Sequence, residues 1–252
     1  MNEKEIQERL SVINTHWSLL RQAHQGTDDA ADRARQELMQ RYNGAIYRYL
    51  LAGVRDPEAA ADLSQEFAVR FLEGRFHKAD PTRGRFRDYV KTCLFHLVGD
   101  YRRRKGKEPR FMPLENNEPV APAEILPEED QAFRESWREE LLQRVWLALA
   151  QLQQTSGQPY YLVLRFRIEH PEIPSHEMAE HLAVPLGKPM TAAGVRQLLH
   201  RARERFADLL LEEVRQSLGP SGRDYLEEEL ADLNLLKYCQ NALTRQTPPA
   251  EG

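Results

Sequence analysis

Phe95, His96, Arg102 and Arg103, together with Thr92 and Gly99, fall on one side of a helical projection of residues 86–107, FRDYVKTCLFHLVGDYRRRKGK. A ring that stacks on a base, set among cations that hold phosphates, is what binding of single-stranded nucleic acid requires. The other side carries Phe86, Val90, Cys93, Leu94, Leu97 and Tyr101 at helical spacing, an apolar stripe that belongs to a core. The plain alternative for the wet face is a solvated basic helix end, its Lys and Arg complementing the C-terminal dipole. Taken alone the segment allows both accounts, and the rest of the chain decides between them.

A second set of groups lies at about 191–215. Val195, Leu198, Leu199, Ala202, Phe206 and Leu209 share one stripe, while Arg196, Gln197, His200, Arg201 and Glu204 share the other. A short helix beginning SHEMAE, with Ser175 as its expected cap, precedes it. Two helices joined by a turn, the second presenting Arg, Gln and His in its N-terminal half, is the helix-turn-helix arrangement for a major groove. Arg and Gln suit guanine and adenine edges, and Arg201 and Arg203 suit phosphates. An ordinary helix cluster with a solvated basic face is the competing account; charge and element order together favour DNA. A third candidate is the helix 57–74. Its core stripe is Ala60, Leu63, Phe67 and Phe71, but Asp62, Gln65, Glu66, Val69 and Leu72 form a second stripe on the far side. Apolar groups with a charged rim fit a protein partner, although scattered exposed apolar residues are the simpler account from physics alone.

Helices must position all of these groups. Strand signals are nearly absent from the 252 residues, and 41% hydrophobic with 29% charged content suits an all-α soluble chain with room for two small helical domains. Helices are expected at 28–53, with Thr27 as cap, and at 57–74 and 86–105, with a loop at 77–85. Further helices are expected at 139–153, 159–168, 175–183, 191–215 and 223–243. The domain division expected is 1–27, an amphipathic extension; 28–108, a first helical domain; 109–130, a flexible acidic proline-rich linker; 131–218, a second helical domain; and 219–252, an acidic helix and tail. The net charge of −4 conceals segregation. Arg102 to Arg110 and Arg196 to Arg205 are basic, whereas Glu115 to Asp130 and Asp224 to Asp232 are acidic, a pattern for local docking onto phosphates.

Several classes are set aside. No apolar run approaches the roughly 20 residues of a membrane span, and the charged N-terminus lacks a secretory core, so no membrane partner and a cytoplasmic location are expected. Cys93 and Cys239 do not make a disulfide framework, and no Cys/His spacing suggests zinc. His176 and His181 lie five apart, not the four of a zinc-protease motif, and Gly187-Lys188 lacks the rest of a phosphate loop. The chain is read as having no catalytic residue, no metal and no cofactor.

These segments resemble bacterial RNA polymerase sigma factors of the extracytoplasmic-function type. Asp56-Pro57-Glu58-Ala59-Ala60-Ala61-Asp62-Leu63-Ser64-Gln65-Glu66-Phe67 is similar to the second-region motif D-x-E-D-A-x-D-L-x-Q-E-x-F. Phe86-x-x-Tyr89-Val90 is similar to F-x-x-W-L, and Asp100-Tyr101-x-Arg103-Arg104 to D-Y-x-R-R. Glu177-Met178-Ala179 matches the fourth region's E-I-A, and Val195-Arg196-x-x-Leu199-His200-Arg201-Ala202-Arg203 resembles V-K-x-x-L-x-R-A-R. The resemblance spans about residues 28–215. It implies a first domain like sigma region 2 and a second like the region 4 helix-turn-helix. Core polymerase is the implied partner, through the β′ clamp and the β flap, together with promoter DNA and a regulator such as an anti-sigma factor. The implied polymerase contacts are Asp62, Gln65, Glu66 and Val69. The implied minus-ten contacts are Arg85, Tyr89, Phe95, His96, Arg102 and Arg103. The implied minus-thirty-five contacts are Thr191, Arg196, Gln197, His200, Arg201 and Arg203.

Departures are confined to a few places. Tyr89 stands for the family's Trp, His96 for its asparagine, and the turn LAVPLGKPMTAAGV is longer than usual. The helix 223–243 lies outside the pattern and is expected either to pack on the second domain or to cover its basic face. The rival class is a stand-alone helix-turn-helix transcription regulator, which a dimer on a palindrome would distinguish.

Overall fold

Asp56 ends one helix and begins another. Its carboxylate oxygen accepts the backbone N–H groups of Glu58 and Ala59 at 3.1 and 3.3 Å, while Arg55 before it turns left-handed at φ 55°. Pro57 then occupies the first turn, where its missing N–H costs nothing. This junction separates α1 (Asp28–Val54) from α2 (Pro57–Leu72) in the computed structural model, which describes residues 28–72, 85–106, 127–218 and 222–246. The remaining helices are α3 (Phe86–Arg104), α4 (Pro127–Ser156), α5 (Tyr160–Glu169), α6 (Ser175–Leu186), α7 (Ala192–Ser217), α8 (Gly222–Asp232) and α9 (Leu236–Gln246). Every regular element among the described residues is a helix, as the periodicity predicts. None is long and apolar enough to cross a membrane. The expected extension 1–27 with Thr27, the loop at 77–84, most of the expected linker and the tail beyond 246 lie outside the described residues.

The chain divides into two compact units, and each is taken by itself. The first comprises residues up to Glu140 with Val214–Leu233; the second comprises Leu141–Glu213 and the residues from Asn234. In the first unit α1 packs on α2 and α3. Tyr42, Ile46, Tyr49 and Leu50 of α1 are buried, with Ala60, Leu63, Phe67 and Phe71 of α2 and Phe86, Val90, Leu94 and Leu97 of α3. The stripes expected on α2 and α3 therefore do face a core; on α3, Cys93 and Tyr101 reach it only half-buried.

The boundary at 130/131 is not where the structure divides. Helix α4 starts at Pro127, and its first part belongs to the first unit. Phe133 and Trp137 are fully buried there; Trp137 stacks on Tyr42 with ring centroids 4.4 Å apart, and Phe133 meets the edge of Tyr49 at 5.2 Å. Arg48 of α1 donates to the Glu140 carboxylate at 3.1 Å and to the Ser136 carbonyl at 3.0 Å. Lys91 of α3 donates to Asp130 at 2.7 Å. Pro, Glu and Asp at the start of α4 suit a first helical turn, so a segment read from composition as linker is partly helix.

The C-terminal region is also corrected. A single helix at 223–243 does not form, because Asn234 adopts φ 55° and splits it. Helix α8 belongs to the first unit and α9 to the second. In the second unit, Leu149, Val163, Leu164, Met178, Leu182, Val195 and Leu199 form the core. Arg144 of α4 pairs with Glu213 of α7 at 2.5 Å. On α9, Cys239 and Ala242 are buried, and Arg245 pairs with Glu204 and Asp208 of α7.

Candidate nucleic-acid interface

The geometry of α3 follows from its ends. Three arginines, 102 to 104, occupy its last turn, where positive charge meets the negative end of the helix dipole. Lys105 and Gly106 close it, with N–H donations to the carbonyls of Tyr101 and Arg103 and a positive φ that glycine takes without strain. The arginines are all engaged within the protein. Arg102 donates to the Gly53 carbonyl at 3.0 Å, Arg103 pairs with Asp100, and Arg104 pairs with Glu66 at 3.2 Å.

Further along this helix, Phe95 and His96 are half-buried and their rings meet edge to face at 5.9 Å. Burial first, and the Arg103 charge second, hold the His96 pKa below its usual 6.5. Tyr89 is half-buried against Met39, Phe67 and Phe71 beside a small apolar void, and its hydroxyl bonds the Cys93 thiol. Arg85, just ahead of the helix, donates to Asp88 at 2.9 Å and to Asp232 of α8 at 2.6 Å. Of the expected minus-ten groups, the structure brings Phe95, His96 and Arg103 together. It turns Tyr89 toward the core and ties Arg85 and Arg102 to other elements.

On α2, Asp62 and Gln65 are exposed, Val69 is 51% exposed and Glu66 is half-buried. Burial alone would raise the Glu66 pKa, but Arg104 and Arg70 outweigh it and hold the carboxyl below the ordinary range. All four expected polymerase contacts lie on the face away from Phe67 and Phe71.

In the second unit, Ser175 opens α6 without acting as its side-chain cap, and Pro174 precedes it. The helix runs on past 183 to Leu186, with Pro185 in its last turn, and ends in a left-handed Gly187 at φ 63°. Lys188 N–H returns to the Ala183 carbonyl at 3.2 Å, a helix-ending bond that needs this glycine. The turn before α7 is thereby shorter than the sequence suggests. The Thr191 hydroxyl oxygen accepts the Gly194 N–H at 3.1 Å and caps α7. Thr191, Arg196, Gln197, His200, Arg201 and Arg203 are all exposed, while Val195, Leu199 and Ala202 behind them are buried. Arg167 fastens α5 to the start of α6 through the carbonyls of Pro171 and Ile173.

The feature that sequence reasoning missed is Arg87. It is 2% exposed and donates twice to Glu229 of α8, at 2.9 Å each, with Glu229 fully buried. Among the described residues, no group of three or more His, Cys, Asp or Glu is placed to hold a metal ion.

Residues 38–108, from within α1 to just past α3, match the family described as Sigma-70 region 2. No curated protein and no solved structure matches the chain.

Proposed function

We propose that the chain is an RNA polymerase sigma factor that joins the core enzyme and directs promoter recognition, without chemistry of its own. The observation that carries this reading is the Sigma-70 region 2 match on the unit whose α3 bears Phe95, His96 and Arg103. In this mechanism α2 docks on polymerase through Asp62, Gln65, Glu66 and Val69. Helix α3 receives unpaired minus-ten bases, the rings offering stacking surface and the cations neutralising phosphates. Helix α7 reads the minus-thirty-five duplex through Arg196, Gln197 and His200, with Arg201 and Arg203 holding the backbone. The exposed row on α7, backed by a buried stripe, supports a region 4-like role for the second unit. The extracytoplasmic-function type and control by an anti-sigma factor belong to the same proposal.

The test is transcription in vitro from genomic fragments with core polymerase, with and without the chain. New start sites that depend on the chain are expected. Asp62→Lys should cut polymerase affinity by about tenfold or more, the range of a like-charge contact at an interface, while leaving the melting curve unchanged. A chain that binds DNA as a dimer and never joins polymerase would instead be a stand-alone regulator.

A further inference from the structure

Arg85 and Arg87 meet Glu229 and Asp232 of α8 in one cluster. Arg87 forks onto Glu229, its Nε and Nη2 donating to the two carboxylate oxygens at 2.9 Å each, and Nη2 also reaches Asp232 at 3.2 Å. Arg85 Nη1 reaches Glu229 at 2.9 Å and Asp232 at 2.6 Å. Leu226, Leu230 and Leu233 are buried beside it on α8. A buried ion cluster is a poor source of stability, since apolar residues of similar volume do as well or better. It is instead specific: it holds one acidic helix in one register on two particular arginines. The planar guanidinium fork that accepts a carboxylate accepts a phosphate in the same way.

Position supplies the ligand. Arg85 stands immediately ahead of α3, whose row of Phe95, His96 and Arg103 is expected to meet a nucleic-acid strand. We propose that Arg85 and Arg87 form a phosphate-binding subsite for the single strand at the N-terminal end of that row, and that α8 occupies it in the free protein as an in-cis competitor. The proposal rests on the nucleic-acid reading of α3. Glu229 and Asp232 stand where backbone phosphate oxygens would stand, and the strand binds fully only when α8 leaves.

Full-length protein and three variants, Asp232→Asn, Arg85→Ala and the double variant, are titrated with a labelled single-stranded DNA at several salt concentrations. Asp232 is one-third exposed, so its amide leaves the buried Arg87–Glu229 pair in place; matching melting curves check this. Asp232→Asn should bind severalfold tighter than wild type at each salt concentration, because one carboxylate instead of two then holds α8 on the arginines. The double variant should gain less over Arg85→Ala than Asp232→Asn gains over wild type, since Asp232 also reaches Arg87 at 3.2 Å. Equal binding by wild type and Asp232→Asn, undetectable binding by both, or the same gain in the Arg85→Ala background would each overturn the proposal. Transcription with core polymerase, run alongside, separates the two readings. Activity with no gain from Asp232→Asn removes the competitor and keeps the sigma factor; a gain without polymerase binding does the reverse.

Discussion

His96 is neutral at pH 7 because α3 half-buries it and Arg103 adds positive charge nearby. Its folded pKa lies below the unfolded value near 6.5, so the unfolded chain takes up the proton first as pH falls. The stability this residue contributes is complete above about pH 6.5 and is lost as pH drops through the window below it. Melting temperatures of wild type and His96→Gln should therefore diverge between pH 7.5 and 5.5, wild type falling faster; parallel curves would show that the imidazole does not titrate in this range. The two thiols take no part in such chemistry, since burial pushes both Cys93 and Cys239 up to about 12. Residue-scale legibility follows the range of the interaction. The exposed row on α7 was readable because its periodicity is local. Arg87 was not, because its partner Glu229 lies 142 positions away and nothing near Phe86 distinguishes a buried arginine from a solvated one.

At the scale of elements, α1, α2, α3 and α7 were legible within a few residues because each carries an uninterrupted apolar stripe. Helix α4 was read short. Five prolines and many acids between 109 and 130 read as linker, yet Pro127 followed by Glu128, Glu129 and Asp130 is also the signature of a helix start. What fixes that start is tertiary. Trp137 lies fully buried on Tyr42, with Phe86 6.3 Å and Phe133 5.6 Å from its ring, so the first part of α4 completes the aromatic core of the first unit. Trp137→Ala should cost about 3–5 kcal/mol in denaturant unfolding, as truncation of a large buried ring does. A loss below about 1 kcal/mol, the level of a surface substitution, would mean that α1, α2 and α3 close their core without α4. The single helix expected at 223–243 fails for a related reason. Its apolar spacing continues through Leu236, but Asn234 tolerates the left-handed turn that lets each half find a different core.

For the whole molecule, the opposed charge blocks acquire a structural role. Glu229 and Asp232 of the acidic block meet arginines ahead of and within α3, and the following α9 sets Arg245 against Glu204 and Asp208 of α7. Deleting residues 219–252 thus removes one helix from each unit. In the first, Arg87 loses Glu229 and is left as a buried charge without its fork; breaking such a pair costs about 3–5 kcal/mol. In the second, Glu204 and Asp208 of α7 lose Arg245. The deletion should lower the melting temperature, with hydrogen exchange quickening in α3 and in the part of α7 around Asp208. A gain in DNA affinity by that truncated chain would mix release of Arg85 with loss of fold, which is why the single Asp232→Asn change isolates the competition. If the truncated protein melts as the full chain does and its α3 amides exchange no faster, α8 is not part of the first unit's core, and the ion cluster on Arg87 does not hold it there.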